Sequence, residues 1–238
     1  MSTPASAHRV HPLEGLPRPS LTITDVRVTL LSYQLRPEER WADGDENVVI
    51  VNTCTVIIHI STDAQITGIG ACSRYGGPAQ LQRYVEEVIR PLLIGRNPFD
   101  VETLSAGLCG GQGRSAWAGV DVALWDIIGR AVERPLYQLL AIDEEPVTRL
   151  RVYASGGEFS WRRDSPYDGP ESLVEKALRH QRNGYTAFKI RMGGGFGRLG
   201  ITLEEYVPYL RQIREAVGPD FDLIQEANCR WSLQQCLE

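Results

Sequence analysis

The chain has 238 residues, 42% of them hydrophobic, which is enough to bury one large core or two modest ones. Its net charge of -5 argues against nucleic acid as a partner, because no basic stripe is available to neutralise phosphates. Its five cysteines are scattered without a CxxC pair, which indicates reduced thiols and not a disulfide framework.

The first twenty residues are rich in Ser, Pro and Ala and lack the apolar core of a signal peptide. No long uncharged apolar run follows anywhere in the chain. We therefore expect residues 1–20 to be a mobile tail, and the protein to be soluble and cytoplasmic with no membrane partner.

An extended pattern follows, over residues 21–73. Residues 22–31 alternate between apolar and polar side chains, and β-branched runs at 55–60 and 66–71 flank a Thr-Asp segment typical of a hairpin. The pattern predicts three antiparallel strands.

Helical spacing then takes over, predicting helices from Pro78 to near Gly95, from Pro98, and from about Ser115 to Val132. Strands followed by helices predict an α+β domain over residues 21–145.

Strands and helices alternate in residues 146–238. Strands are predicted at 149–154, 187–190 and 222–225, and helices at 171–182 and 203–216. Strand starts recur roughly every 35 residues, the size of a βαβ unit, so we expect parallel strands with right-handed crossovers. A complete (β/α)₈ barrel needs about 250 residues, so this region predicts only the first three units of a TIM-type barrel.

Lys189 and Arg191 lie two residues apart on the second of these strands, so both side chains leave the same face. In a closed barrel that face is the interior, where two cations at the carboxyl rim would meet an anionic substrate. On an edge strand the same pair would face solvent. Spacing alone leaves both readings open.

Glu226 and Asn228 repeat this arrangement on the next strand. A carboxylate at such a place suits Mg²⁺, which prefers oxygen ligands. A lone carboxylate is more often a salt-bridge partner, in this case of Lys189 on the adjacent strand. Both roles stay open at this point.

Two glycine-rich segments could suggest nucleotide binding. The run at residues 193–197 is not followed by Gly-Lys-Ser/Thr, so a P-loop is disfavoured and a βα loop is the better interpretation. Gly68 and Gly70 lie within a strand, which indicates a close approach of another backbone. A nucleotide-binding α/β domain is therefore disfavoured.

Taken together, these segments resemble the enolase superfamily, in its mandelate racemase/muconate lactonizing enzyme branch, over roughly residues 21–238. The matching segments follow the family's order: residues 56–70, 91–98, 118–131, 152–157 and the two strand ends at 185–191 and 221–232. The resemblance implies an α+β N-terminal capping domain followed by an incomplete α/β TIM-type (β/α)₇β barrel. It also implies a Mg²⁺ ion that binds a substrate carboxylate and stabilises the enediolate formed on removal of an α-proton.

The family's Lys-x-Lys corresponds to Lys189-Ile-Arg191, and its Asp-x-Asn, whose acid is a metal ligand, corresponds to Glu226-Ala-Asn228. Because arginine stays protonated, the resemblance assigns proton handling or electrostatic support to Lys189. It assigns binding or polarisation of the substrate to Arg191, metal binding to Glu226 and substrate contact to Asn228.

Two departures from the family pattern accompany these matches. Glu226 in place of aspartate lengthens the metal ligand by a methylene. The family's other acidic ligands and its acid/base residues on later strands have no counterparts, so we expect a C-terminally truncated chain with Mg²⁺ weakly held or absent.

Loops of the capping domain set substrate specificity in this family, and they correspond to the segments around residues 40–43 and 74–77. The resemblance therefore makes Trp41, Arg74 and Tyr75 candidate substrate contacts.

We expect a homo-oligomer acting on a small-molecule carboxylate, a sugar acid, as an acid-sugar dehydratase. Racemase or epimerase activity comes second, because a Lys-x-Arg strand is poorly suited to symmetric two-base racemisation. The alternative is a truncated, non-catalytic chain whose capping domain serves as an assembly module, since unpaired strand edges favour association.

Overall fold

The structure is a computed structural model that describes residues 11–42, 49–72, 77–106, 113–141, 145–156, 170–191, 203–227 and 232–237. The chain divides into two compact units, Met1–Tyr33 with Thr53–Arg149, and Gln34–Asn52 with Leu150–Glu238. The predicted cut between residues 145 and 146 lies close to the change of unit at Leu150. The grouping of Gln34–Asn52 with the second unit was not predicted.

Eight strands are described: β1 Ile23–Gln34, β2 Trp41–Ala42, β3 Val49–Ile50, β4 Asn52–Thr62, β5 Thr67–Cys72, β6 Ala154–Gly156, β7 Ala187–Arg191 and β8 Asp222–Glu226. The α-helices of the described residues are α1 Pro78–Tyr84, α2 Arg90–Leu93, α3 Val101–Ser105, α4 Gly113–Ala131, α5 Leu136–Leu140, α6 Pro170–Arg182, α7 Leu203–Val217 and α8 Leu233–Leu237. A π-helical turn at Val85–Ile89 joins α1 to α2. Among these described helices, none is long and apolar enough to cross a membrane.

The first unit is built on a three-stranded sheet in the order β1-β4-β5. Strands β4 and β5 pair antiparallel from Val56↔Cys72 to Ser61↔Thr67, and the Gln65 amide donates to the Thr62 carbonyl in the connecting turn. The predicted strands and hairpin are therefore present, and the predicted helices follow them along the chain.

Helix α4 packs against β5 with almost no space between the two backbones. A Cβ added at Gly68 would lie 2.0 Å from the Ala123 carbonyl oxygen, and one added at Gly70 would lie 1.9 Å from that of Gly119. Because real side chains cannot approach so closely, this contact requires glycine at both strand positions. The close approach predicted for the Gly68–Gly70 segment is confirmed.

Residues 11–20 differ from the mobile tail that the sequence predicted. Leu13 is only 1% exposed and belongs to the core of the first unit, against which Leu16 also packs. The Asn97 side-chain amide donates to the Pro19 carbonyl oxygen at 3.1 Å. This part of the expected tail is held by apolar burial, a signal that the Ser- and Pro-rich composition obscured.

The second unit contains a parallel sheet in the order β6-β7-β8, as predicted. Helices α6 and α7 pack on one face of it. Their contact residues form a buried cluster: Ala154, Leu173, Ala177, Phe188, Ile190, Tyr206, Ile213, Val217 and Phe221. The same unit includes an antiparallel pairing of β2 with β3, in which Trp41 is the partner of Ile50.

The predicted strand at 149–154 is wrong in position, because β6 runs from Ala154 to Gly156 and shares only Ala154 with it. The first residue of β6, Ala154, pairs with Phe188, the second residue of β7. Tyr153 therefore stands opposite Ala187, the first residue of β7, although the described β6 begins only at the next residue.

Glycines in the left-handed region join each helix of this unit to the strand after it. Gly184 follows α6 with a φ of 86°, and Gly218 follows α7 with a φ of 80°. A left-handed residue closes the last helical turn and reverses the chain, and glycine adopts it without steric cost. These two turns determine where β7 and β8 begin, and hence how far along each strand its polar residues lie.

Candidate active site

The polar side chains of interest lie on the face of the parallel sheet opposite α6 and α7. Phe188 and Ile190 are fully buried in the cluster formed with the helices. Because side chains alternate across a strand, Lys189 between them leaves the other face. The two crossover helices thus determine which face of β7 carries its cation.

Lys189 and Glu226 form an ion pair across adjacent strands. The Lys189 Nζ lies 3.7 Å from Glu226 Oε2, and the two side chains are 23% and 37% exposed. Lys189 is in register with Ile224, so Glu226 lies one pleat nearer the carboxyl edge. The salt-bridge role that the spacing left open for Glu226 is present in the structure. Partly exposed pairs contribute about 0–1 kcal/mol, so this one matters for position more than for stability.

Two side chains that the sequence analysis did not single out share this face with Lys189. The ring centroid of Tyr153 lies 5.4 Å from Lys189 Nζ. Ser155 is the register partner of Lys189, and its side chain is exposed. Tyr153 and Ser155 lie two residues apart on either side of an apolar alanine, so period-two spacing would have placed both side chains on one face of the strand. Ala154 between them is buried with Phe188.

A second signal that the sequence contains is lysine, and not arginine, at position 189. Lys176 and Lys189 are the only lysines of the chain, and the other 23 basic residues are arginines. An amine can give up and take back a proton, whereas a guanidinium stays charged. A lysine at 189 in so arginine-rich a sequence therefore indicates proton chemistry more strongly than the spacing alone did.

The remaining predicted site residues are described only in part or not at all. Arg191 ends β7 in register with Glu226, and Trp41 lies in β2; the side chains of both lie outside the described parts of the structure. Arg74, Tyr75 and Asn228 lie outside the described residues altogether, as does the glycine run at 193–197.

The described donors supply part of what Mg²⁺ needs. Glu226 provides one carboxylate, the donor type that Mg²⁺ prefers, at the carboxyl edge of the sheet. Among the described residues, no group of three His, Cys, Asp or Glu side chains could hold a metal ion. Glu226 thus fits the role of one ligand, and the residues described do not by themselves enclose an ion.

The amino ends of the three strands are tied together by one arginine. Arg151 donates from Nε to Thr186 Oγ1 at 2.9 Å, and from Nη2 to Asp222 Oδ2 at 2.6 Å. These bonds join the segment before β6 to the beginnings of β7 and β8. They fix the register of the strands at the end of the sheet remote from Glu226.

The helix face of β8 is anchored by a half-buried hydrogen bond. The Tyr206 hydroxyl donates to Gln225 Oε1 at 2.7 Å, and burial raises the pKa of this phenol far above its usual range. Gln225 immediately precedes Glu226, so this bond holds one side of the strand against α7. The alternation of side chains then directs Glu226 to the Lys189 face.

His180 packs at the end of α6, with its ring centroid 5.0 Å from that of Phe188. Burial, and to a smaller extent the charge of Arg179, lowers the pKa of His180 below 6.5. Its Nδ1 is buried without a hydrogen-bond partner in the described structure. The neutral ring supports Phe188 from behind the strand that carries Lys189.

Comparison with known proteins gives two family matches. The family described as mandelate racemase / muconate lactonizing enzyme, N-terminal domain, matches residues 48–141. The family described as enolase C-terminal domain-like matches residues 172–238.

Individual relatives agree with these matches. The chain is 29% identical to the arabinonate dehydratase of Saccharolobus solfataricus over 224 residues, covering 91% of this chain and 56% of the relative. It is similar to the crystal structure of an enolase superfamily member from Polaromonas sp. JS666, with 26% identity, a TM-score of 0.71, and coverage of 90% of this chain and 54% of that one. It is also similar to a racemase from Streptomyces coelicolor A3(2) with bound magnesium, with 25% identity, a TM-score of 0.72, and coverage of 90% and 57%. The chain spans about half the length of these relatives.

An α+β domain followed by parallel βα units, with charged residues near the carboxyl edge of the strands, is the arrangement with which a capped TIM-type barrel protein begins. The chain belongs to the enolase superfamily, in its mandelate racemase/muconate lactonizing enzyme branch. The resemblance and the fold class predicted from the sequence are thereby confirmed.

Proposed function

We propose that this chain contributes Lys189 and Glu226 to a Mg²⁺-dependent site that removes the proton α to the carboxylate of a sugar acid, and that the reaction is a dehydration. The observation that carries the proposal is the pairing of one of only two lysines with a strand-end carboxylate on the face of the parallel sheet opposite α6 and α7. The similarity to an arabinonate dehydratase supports the substrate class.

Lys189 is the residue to which we assign the proton. As a free amine, its Nζ can accept a proton from the α-carbon and return one later, whereas Arg191 remains protonated. We assign to Arg191 the binding of an anionic group on the substrate. The ion pair with Glu226 holds Nζ at the carboxyl edge, where barrel enzymes bind their substrates.

Glu226 is the ligand to which we assign the metal. When bound, Mg²⁺ would neutralise negative charge that develops on the substrate carboxylate as the α-proton leaves. Glu226 would then share its charge between the metal ion and Lys189. The remaining ligands would come from water, from the substrate and from residues other than those described. We assign substrate contact to Asn228, Trp41, Arg74 and Tyr75 on the family resemblance alone.

Dehydration requires the α-proton and the hydroxyl on the neighbouring carbon to leave as water. The electron pair of the broken C–H bond becomes the new C–C double bond, and the resulting enol rearranges to a 2-keto acid. A single proton-handling lysine is sufficient for the first step. Racemisation would need a second base on the opposite face of the substrate, so we place it second.

The test is to incubate the 238-residue chain with Mg²⁺ and a panel of sugar acids and to measure 2-keto acid. We expect product with at least one acid, and a loss of about 10²–10⁴-fold in the Lys189→Met variant, the usual contribution of a positioned acid or base. Lys176→Met is the matched control, because Lys176 lies on helix α6 and should leave the rate unchanged.

Three outcomes would count against the proposal. No product across the panel would remove the dehydratase assignment, and equal rates in the two lysine variants would remove the role of Lys189. Exchange of the α-proton without 2-keto acid would replace dehydration by racemisation or epimerisation at the same site.

A further inference from the structure

We propose that Tyr153 is a positioning residue, whose ring face binds the Lys189 ammonium in a cation–π contact. Its role in catalysis rests on the function proposed above, whereas the contact itself does not. The role follows from the geometry around the Lys189 nitrogen, which has Tyr153, the residue just before β6, on one side and Glu226 of β8 on the other.

The register places the three side chains on one diagonal. Ser155 lies directly beside Lys189, so Tyr153 is one pleat toward the amino edge, and Glu226 on the other neighbour is one pleat toward the carboxyl edge. Diagonal neighbours are within reach of aromatic and long side chains. Lys189 Nζ is accordingly 5.4 Å from the Tyr153 ring centroid and 3.7 Å from Glu226 Oε2.

The two contacts have different chemistry. Glu226 attracts the ammonium by its charge, and that charge would be shared if the carboxylate bound a metal ion. The ring attracts it through the π-electron face, at a distance within the usual limit of about 6 Å for a cation–π contact. The ring contact does not depend on what else Glu226 binds, so it can hold the protonated Lys189 while Glu226 is engaged elsewhere, and it favours the ammonium that forms as the free amine takes up a proton.

Tyr153 is also suited to this role by its surroundings. It is 47% exposed, so it is not a core residue whose size the packing dictates. The residue after it, Ala154, is buried with the helices, so the alternation of side chains places Tyr153 on the opposite face, with Lys189. An aromatic ring at this exposed place therefore has the Lys189 ammonium as a specific partner.

The test uses nuclear magnetic resonance on the whole chain after growth with isotope-labelled lysine. With two lysines in the sequence, only two sets of ε-methylene signals arise, and Lys176→Arg identifies the one from Lys189. A ring face below the amine shifts the Lys189 ε-protons upfield of those of Lys176. We expect Tyr153→Phe to keep this shift and Tyr153→Leu to abolish it.

A second measurement does not require a variant that folds. In the unmodified chain, we expect a nuclear Overhauser contact between the Tyr153 ring protons and the Lys189 ε-protons. An absent contact, or an upfield shift that survives Tyr153→Leu, would overturn the inference. Loss of the shift in Tyr153→Phe would also overturn it, because that result would assign the effect to the hydroxyl and not to the ring face.

The catalytic consequence is measured separately. In an active preparation, Tyr153→Leu should lower kcat for α-proton exchange by about two- to five-fold with KM unchanged, which corresponds to the 0.5–1 kcal/mol of an exposed cation–π contact. Tyr153→Phe should retain the kcat of the unmodified chain, because it keeps the ring face. An inactive chain that retains the resonance shift would contradict the proposed function and leave the Lys189–Tyr153 contact established. If the chain is active and Tyr153→Leu leaves kcat unchanged, the positioning role is contradicted.

Discussion

The contact between helix α4 and strand β5 gives a prediction whose size follows from the structure. In Gly70→Ala, the new methyl carbon would lie 1.9 Å from the Gly119 carbonyl oxygen, whereas real Cβ atoms essentially never come within 3.0 Å of such a neighbour. The atoms that the new methyl group would meet belong to the backbone of α4, at Gly119 and Ala123, so no side chain can move aside. The helix and the strand would therefore have to separate by roughly 1 Å.

Two opposing effects set the magnitude. Overpacking of this kind costs about 1–3 kcal/mol, and replacing glycine by alanine recovers about 0.4–1 kcal/mol from the unfolded chain. We therefore expect a net loss of about 1–2 kcal/mol. In a chain of this length this lowers the melting temperature by about 2–8 °C.

Hydrogen exchange resolved by peptide is the suitable assay, because it reports on the first unit separately from the second. Faster exchange is expected in the α4 segment, residues 113–131. Gly156→Ala is the control, because among the described residues its Cβ would meet the Phe188 ring at 3.5 Å, an ordinary contact. Unchanged exchange in Gly70→Ala, or an equal effect of the two variants on melting, would refute the close-packing argument.

Three further predictions concern both units. Leu13→Ala should cost about 2–5 kcal/mol, as for a buried leucine, and Leu30→Ala, at a residue 41% exposed, should cost much less; equal denaturation midpoints would restore a mobile tail. Tyr206→Phe should cost about 0.5–1.5 kcal/mol in urea unfolding, since it removes the donor to half-buried Gln225. A double variant with Gln225→Leu should recover part of this loss, and an unaffected single variant would contradict the bond. The pKa of His180 is lowered from 6.5, so the unfolded chain binds a proton at this residue before the folded chain does as pH falls. The free energy of unfolding should therefore decline below pH 6.5, and His180→Leu should flatten that decline. An unaltered pH profile in this variant would show that the ring is not shielded.

Local patterns in the sequence were sufficient for most of the fold. The βαβ spacing predicted the parallel order of β6, β7 and β8, because each crossover helix has an apolar face that must be buried on the sheet. The Gly68–Gly70 pair predicted a close approach of another backbone, which the structure places at α4. On the same helix, Arg130 Nε lies 3.0 Å from Asp126 Oδ1, the i,i+4 spacing of an intrahelical ion pair. In addition, the Ile69 amide donates to Asp126 Oδ2, which ties β5 to α4.

What the sequence could not supply depends on long-range contacts. Leu13 is buried by residues distant in the chain, and no local pattern marks it as core. The position of β6, which begins at Ala154 and later than predicted, depends on its pairing with β7. In the candidate site, spacing placed Lys189 and Glu226 on one face but left their roles open. Tyr153 became relevant only when the register brought its ring beneath Lys189.

The measurement that tests the central claim most directly is exchange of the α-proton of sugar acids in D₂O, followed with and without Mg²⁺. We expect Mg²⁺-dependent exchange by the 238-residue chain, abolished in Lys189→Met, strongly reduced in Glu226→Gln and retained in Lys176→Met. Absence of exchange across the panel, or exchange that persists in Lys189→Met, would contradict the assignment of proton handling to Lys189 and of metal binding to Glu226.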